Sequence, residues 1–174
     1  MCHPEKEPEI DVPEDGFKVF VNRTEGYGNG VKSAIGTAIM EKKDLVLADS
    51  DGYHPASEIA KLAKFDIDHD SALVKPYRQG IGFQSGAYSF LYSMVKEKRI
   101  WDATGGLYRL TNDFMGSMPS LKSKDMTINV EILNAALMTD TPVIQYGYTP
   151  GTNDRKNSKR TAHYQLKLLK AMLA

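Results

Sequence analysis

Two carboxylates, Asp49 and Asp51, lie one residue apart directly after the apolar segment "DLVLA". Carboxylate oxygens suit Mg²⁺ or Mn²⁺, and such ions commonly bridge one or two carboxylates to substrate phosphates. A metal of this kind neutralises a diphosphate and stabilises it as a leaving group. The spacing therefore predicts a metal and diphosphate site. The alternative is an Asx turn that caps the following helix.

The elements around this motif alternate between strand and helix. "FKVFVN" (17–22) alternates as a strand does, and after the glycine turn "GYGNG" a helical spacing of apolar residues begins at Val31. "DLVLA" is short and apolar, as expected of a strand buried in a parallel sheet, and Pro55 suits the first turn of the next helix. The order predicts an α/β domain, whose ligands bind beyond the carboxyl ends of the strands, where Asp49 and Asp51 fall.

The rest of the chain continues with mixed elements. "SALVKPY", "GGLYRL" and "PVIQYGY" are predicted strands, and a short helix is predicted near 111–117. "MTINVEILNAALMT" is a predicted amphipathic helix. "GFQSGAYSFLYSMVKEK" is a predicted helix whose apolar side carries Phe83, Ala87, Phe90, Leu91 and Met94.

Composition narrows the class of protein. Lys plus Arg equals Asp plus Glu at 22 each, so bulk charge gives no argument for nucleic acid. The single Cys2 excludes an intramolecular disulfide and a cysteine zinc cluster, and fits a cytoplasmic setting. No apolar run approaches the roughly 20 residues of a membrane span. We expect an acidic, disordered lead over residues 1–16 and a single domain over 17–174.

Five segments in collinear order resemble family 2 glycosyltransferases with the GT-A fold, and among them the polyprenyl-phosphate (dolichyl-phosphate) sugar transferases. "DLVLADSDGYHP" is similar to that family's "D-A-D-G-Q-H-P" segment. The other four are "NRTEGYGNGVKSAIGTAI", "VKPYRQG", "IWDATGGLYRL" and "TINVEILNAAL" with "PVIQYGYTPGTNDRKNSK". The match runs from about Phe17 to the C-terminus. It implies a GT-A-like, mixed but mostly parallel sheet flanked by helices.

The resemblance implies transfer of a sugar from a UDP- or GDP-sugar to a polyprenyl phosphate or similar acceptor. It places Mg²⁺ or Mn²⁺ and the donor diphosphate on Asp49 and Asp51. Arg78 would join them, since guanidinium binds phosphate bidentately. Ser158 and Lys159 match the family's "S-K" on a loop that could close over the diphosphate; the alternative is a helix cap beside a solvated lysine.

Three further residues are candidates on the acceptor side and for catalysis. Asp102 would contact the acceptor, and because a phosphate acceptor is already ionised we expect it to position rather than deprotonate. Its alternatives are a helix N-cap or a partner for Arg99. Arg109 is a second phosphate clamp, although either arginine singly is more often a surface ion-pair residue. Glu131, in the middle of a helix, points into the site or lies at the surface.

Two other stretches qualify the metal prediction. Tyr53 stands where the family has a glutamine able to join the metal shell, and a phenol is a poor Mn²⁺ ligand. We expect His54 to be a structural hydrogen-bonding residue beside the motif. "DIDHD" (66–70) is expected to be a solvated turn at the opposite end of the sheet.

The family's first two β-α units, with its base- and ribose-binding motifs, have no counterpart in this sequence. We expect an apolar sheet edge that a partner chain, a second copy or a rearranged sheet covers. The alternative functions are a non-catalytic remnant or subunit that needs a partner to complete the nucleotide site, and an unrelated α/β phosphate-binding enzyme. The closing helix, with Leu166, Leu169 and Leu173 on one face, is expected to pack on the core; peripheral contact with an anionic membrane is the alternative.

Overall fold

A computed structural model describes residues 25–49, 53–151 and 162–173. These residues form the helices α1 (Tyr27–Glu41), α2 (Ala56–Ala63), α3 (Phe83–Val95), α4 (Asn112–Ser117), α5 (Ile128–Met138) and α6 (Ala162–Leu173). The strands are β1 (Leu45–Leu47), β2 (Leu73–Val74), β3 (Tyr77–Arg78), β4 (Tyr108–Leu110), β5 (Val143–Ile144) and β6 (Gly147–Tyr148). The predicted lead over 1–16 and the predicted strand over 17–22 lie outside the described residues.

The described strands form a mixed sheet in the order β1-β4-β2-β5. Both β1 and β2 are antiparallel to β4, and β5 is parallel to β2. Three of these four strands therefore point the same way, and the predicted mixed, mostly parallel sheet is confirmed. A second, two-stranded sheet pairs β3 with β6 in parallel.

Strand β1 differs from its prediction as a buried strand among parallel neighbours. Its partner β4 is antiparallel, and Leu45, Val46 and Leu47 are all only partly buried. The physical reason is position: within the described part of the chain β1 is the outermost strand of its sheet. The sequence of an apolar strand does not reveal whether one or both of its edges are paired.

Helices cover both faces of the four-stranded sheet because consecutive strand residues point to opposite sides. Leu73 and Tyr108 belong to the larger core, which contains the buried residues of α1, α5 and α6. Val74 and Leu107 belong to a smaller core with Leu62 of α2. The result is a layered α/β domain in which helices cover the faces of the sheet and leave the strand ends available for a functional site.

The predicted apolar face of α3 is wrong in phase. Helix α3 buries Tyr88 and Tyr92, whereas Phe90 and Met94 of the predicted face are 66% and 62% exposed. Tyr92 is buried because its hydroxyl finds a partner: it donates to Asn134 Oδ1 at 2.8 Å. The pattern of aliphatic and phenylalanine residues overlooked the buried tyrosines.

Helix α6 packs on the core, as expected; of the face predicted for it, Leu169 is the residue whose side chain the structure describes. Leu168 and Met172 are buried, while Leu169 of the predicted face is 36% exposed. Because α6 carries apolar residues on more than one side, its contact with α5 decides which of them are covered. None of the described helices is both long and apolar enough to cross a membrane.

Apart from Gly26, which precedes the helix, the predicted glycine turn at 26–30 belongs to α1 itself. Gly28 is buried in its first turn and donates its N–H to Lys124 O at 3.0 Å. A Cβ at Gly28 would lie 2.5 Å from Ser123 O, so the loop at 123–124 requires a glycine there. Close backbone approach, rather than a turn, explains this residue.

Candidate functional site

Asp49 lies just beyond the carboxyl end of β1, where the sequence predicted a ligand site. Its Oδ2 is 3.7 Å from His54 Nε2. A Cβ built on Gly106 would lie 2.7 Å from the same oxygen, so the loop before β4 reaches the carboxylate only because residue 106 has no side chain. Asp51, the second predicted ligand, lies outside the described residues.

His54 is held in a fixed orientation beside Asp49. Its side chain is 1% exposed, and its Nδ1 is 2.8 Å from the hydroxyl of Tyr148 in β6. This is the structural hydrogen bond expected of it. Its second ring nitrogen, Nε2, is buried and has no hydrogen-bond partner.

A buried ion pair joins two residues that the sequence assigned to different parts of the site. Arg78 Nε donates to Asp102 Oδ2 at 2.6 Å, and Arg78 Nη2 donates to Asp102 Oδ1 at 2.9 Å. The carboxylate is fully buried and also accepts from the N–H and hydroxyl of Thr104. Neither alternative for Asp102 holds, because it caps no helix and its partner is Arg78 rather than Arg99, which lies over the ring of Trp101.

The environment keeps the Asp102 carboxylate ionised. Burial alone would raise its pKa, but the hydrogen bonds from Arg78 and the charge of Lys75 lower that pKa to about 2. For Arg78, burial would lower the pKa, and the hydrogen bond and charge of Asp102 raise it instead. A carboxylate with so low a pKa is a weak base at neutral pH, so this geometry favours positioning over proton abstraction.

Lys75 is a site residue that the sequence analysis missed. It follows β2 directly and is 1% exposed, and its Nζ donates to Gly105 O at 2.9 Å and lies 4.1 Å from the ring centroid of Tyr108. Burial lowers its pKa to about 7 against the opposing effect of Asp102. The signal was available: Lys75 is two residues beyond the buried Leu73 and so shares its side of the strand.

Two successive glycines connect the two carboxylates. Gly106 adjoins Asp49, and a Cβ on Gly105 would lie 2.8 Å from Asp102 Oδ2. Lys75 holds the carbonyl between them. The segment 102–106, here called the diglycine loop, therefore brings Asp49 and the Asp102–Arg78 pair to one place at the end of the sheet.

Tyr53 packs on the Arg78 side of the group formed by Asp49 and the Asp102–Arg78 pair. The centroid of its ring is 5.6 Å from Arg78 Cζ, within the range of a cation–π contact. Its carbonyl accepts from Gly151 N at 3.0 Å. Tyr53 thus supports the arginine and offers no amide ligand at this position.

Arg109 lies away from this group. Its Nη2 is 2.9 Å from Asp44 Oδ2, and its Nη1 donates to the carbonyls of Leu62, Ala63 and Phe65 at the end of α2. Alternation along β4 points Arg109 to the α2 side of the sheet. The structure therefore gives it an ion pair and a helix C-terminus, and does not bring it to Asp49 or Asp102.

Glu131 also has a structural set of contacts. Its carboxylate accepts from the N–H groups of Lys122 and Ser123 at 2.9 and 3.0 Å, and from the Ser123 hydroxyl at 2.7 Å. It thereby fixes the loop that packs on Gly28, and it is not among the residues around Asp49. Ser158 and Lys159 lie outside the described residues.

The acidic turn at 66–70 borders a surface cleft of about 300 Å³ with Asp44 and Arg109. Asp44 precedes β1 and Asp49 follows it, so the turn lies at the opposite end of the sheet, as predicted. Within the described ranges, no group of three or more His, Cys, Asp and Glu residues is arranged to hold a metal ion.

No protein-family model matches this chain, and no curated protein matches it significantly. Solved structures do match. Glucosyl-3-phosphoglycerate synthase from Mycobacterium tuberculosis in complex with phosphoglyceric acid has a TM-score of 0.63 at 15% identity, over 88% of this chain and 56% of that one. The fold is GT-A-like.

Two further structures agree with this fold. The same synthase in complex with Mn²⁺, UDP-glucose and glycerol 3-phosphate has a TM-score of 0.59 at 16% identity, over 88% of this chain and 56% of that one. A mycobacterial protein has a TM-score of 0.62 at 18% identity, over 88% of this chain and 52% of that one. The chain spans just over half the length of these neighbours, and at such identities the likeness shows the fold alone.

Proposed function

We propose that this chain binds the diphosphate of a nucleotide sugar through a divalent cation at Asp49 and Asp51, and transfers the sugar to an acceptor that carries a phosphate. One observation carries the proposal: the two adjacent glycines of the diglycine loop lie against Asp49 and against the carboxylate of the buried Asp102–Arg78 pair. Metal-binding and phosphate-binding groups thereby meet at the end of a strand in a GT-A-like fold.

The residues present fit a divalent cation. Asp49 offers carboxylate oxygens, and His54 Nε2, buried without a hydrogen bond, lies 3.7 Å from one of them. Asp51 adds a carboxylate two residues along the chain. A bound Mn²⁺ or Mg²⁺ would offset the diphosphate charge and stabilise the leaving group. The presence of Mn²⁺ with UDP-glucose in the neighbouring synthase supports this assignment.

The Asp102–Arg78 pair acts as a preorganised positioning device. Its bidentate geometry fixes the guanidinium plane, and the Tyr53 ring limits its movement. Asp102 remains ionised near neutral pH, so it orients Arg78 rather than taking a proton. In a polyprenyl phosphate the attacking phosphate oxygen is already ionised, so this step releases no proton and needs no base.

A phosphate monoester is the shared feature of the acceptors considered. The sequence resemblance points to polyprenyl phosphate, and the neighbouring synthase binds phosphoglyceric acid or glycerol 3-phosphate. We propose polyprenyl phosphate first, with small phosphorylated acids as the competing class. UDP-sugars and GDP-sugars are the two candidate classes of donor.

The test is turnover with UDP-glucose or GDP-mannose, Mn²⁺ and each acceptor, followed by mass spectrometry of the product. We expect Asp49→Asn to reduce turnover at least 100-fold. Asp68→Asn, in the exposed turn at 66–70, is the matched control and is expected to leave turnover unchanged. Equal activity in both variants would contradict the proposal.

A second candidate function is a non-catalytic subunit that needs a partner chain to complete the nucleotide site. It is favoured by the exposed apolar face of α3, with Phe90 and Met94, beside a cleft of about 620 Å³ that Trp101 also lines. Calorimetry with Mn²⁺ and UDP or GDP separates the two functions. Binding by the purified chain supports the enzyme, and its absence supports the subunit.

A further inference from the structure

His54 presents one ring nitrogen to Asp49 and has the other nitrogen anchored. The Tyr148 hydroxyl is 2.8 Å from Nδ1, and the side chain is 1% exposed. The Tyr148 hydroxyl can either donate to Nδ1 or accept from it. When it accepts from Nδ1–H, the lone pair of the imidazole is on Nε2 and faces Asp49.

The environment of Nε2 is unusual for a buried polar atom. It is shielded from solvent and makes no hydrogen bond, which costs free energy unless another partner is provided. Histidine ligands of metals typically have this arrangement, in which the second ring nitrogen is hydrogen-bonded to a neighbouring group that fixes the ring.

The distance between the two candidate donor atoms suits a shared ion. Asp49 Oδ2 and His54 Nε2 are 3.7 Å apart, longer than a hydrogen bond. Metal–ligand distances of about 2.1 Å place two ligands of one ion roughly 3–4 Å apart. The pair therefore spans a cation without either side chain having to move far.

We propose that His54 Nε2 is a protein ligand of the divalent cation held by Asp49, in place of the contact that Tyr53 cannot supply. This inference rests on the proposed function, since it requires the cation at Asp49. A mixed nitrogen and oxygen set disfavours Mg²⁺, which takes oxygen ligands, so Mn²⁺ fits better of the two cations considered. The competing arrangement is an imidazole that carries its proton on Nε2, points it towards Asp49 and stays outside the metal shell.

Pulsed electron paramagnetic resonance of Mn²⁺ bound to the full chain separates the two arrangements. Directly coordinated imidazole couples its ¹⁴N nucleus to the Mn²⁺ electrons, and we expect this modulation in the unchanged protein. His54→Asn should abolish it and weaken Mn²⁺ binding at least 10-fold. His69→Asn, in the exposed turn at 66–70, is the matched control and should alter neither.

Tyr148→Phe keeps the imidazole and removes its anchor, so it should retain the ¹⁴N modulation with weaker Mn²⁺ binding, even if His54→Asn fails to fold. Bound Mn²⁺ without ¹⁴N modulation, or with modulation that survives in His54→Asn, would overturn the assignment of His54 and leave the cation at Asp49 in place. Failure of the chain to bind Mn²⁺, with or without UDP, would overturn the proposed cation and His54 together.

Discussion

Arg78 holds Asp102 through two parallel hydrogen bonds, from Nε to Oδ2 at 2.6 Å and from Nη2 to Oδ1 at 2.9 Å. The carboxylate is fully buried, whereas 13% of the Arg78 side chain is exposed. Such a pair is weak evidence for stability as a whole, but the loss of either partner leaves an uncompensated buried charge. We therefore expect removal of either residue to destabilise the fold through the charge left on the other.

Removing the guanidinium should destabilise the fold more than removing an exposed one. We expect Arg78→Met to lower the free energy of unfolding by about 3–5 kcal/mol, because Asp102 is left charged without its main partner. Urea unfolding monitored by circular dichroism measures the change. Arg99→Met, which removes only an exposed arginine over Trp101, should cost about 0.5 kcal/mol or less. Similar losses in both variants would contradict the buried-pair account.

Lys75 should make stability depend on pH in a defined window. Its pKa in the folded chain is about 7, against an ordinary value of 10.5. Between these values the unfolded chain binds the extra proton, so the free energy of unfolding should rise with pH across this window. Below the window Lys75 is charged in both states, so it adds no pH dependence there, although the cost of burying its charge is fully present. The measurement is urea unfolding at several pH values between 6 and 9.5.

Lys75→Met should remove this rise, so the difference between the unchanged protein and the variant should grow in favour of the unchanged protein as pH increases. Subtracting the variant cancels the other groups that titrate in the same range. Lys98→Met removes an exposed lysine and should leave the pH dependence as it was. A difference between the unchanged protein and Lys75→Met that stays constant with pH would show that the lysine is not desolvated.

The diglycine loop should tolerate no side chain at residue 106. A Cβ there would lie 2.7 Å from Asp49 Oδ2, so Gly106→Ala should displace the carboxylate and weaken Mn²⁺ binding at least 10-fold. Overpacking of this kind typically also costs about 1–3 kcal/mol of stability. Titration calorimetry with Mn²⁺ checks the first effect and urea unfolding the second.

Gly116→Ala is the control for that loop. Gly116 lies inside α4 with open space around its Cβ position, so alanine should leave Mn²⁺ binding unchanged and raise stability by up to about 1 kcal/mol. If Gly106→Ala bound Mn²⁺ as tightly as Gly116→Ala, close approach of the loop to Asp49 would play no part in binding.

The sequence predicted the position of Asp49 because a strand that ends in an acid is a local pattern, and strand ends meet at one edge of an α/β sheet. It did not predict that Arg78 pairs with Asp102. These two residues are 24 positions apart and belong to different elements. The local sequence around Arg78 did not distinguish it from Arg109, the other predicted phosphate clamp. Only the pairing of strands decides which arginine reaches a buried carboxylate.

Other differences have equally physical causes. Lys75 ends an apolar run, so in the sequence it looks like a solvent-exposed residue at the end of a strand. Alternation along β2 nevertheless directs its side chain into the core. The buried face of α3 includes Tyr92, whose hydroxyl donates to Asn134 of α5, and such a partner is not visible in a local pattern. Long-range hydrogen bonds, rather than periodicity, determine these features.

The resemblance implied that Arg109 binds phosphate, whereas its contacts in the structure indicate that it stabilises the fold. It pairs with Asp44 and supplies hydrogen bonds to three carbonyls at the end of α2, so Arg109→Met should lower the free energy of unfolding by roughly 1–3 kcal/mol. Because these contacts lie at the other end of the sheet from Asp49, the variant should bind Mn²⁺ and UDP as the unchanged protein does. Urea unfolding and calorimetry on the same preparation measure both quantities. Loss of nucleotide binding without loss of stability would instead place Arg109 in the catalytic site that the resemblance implied.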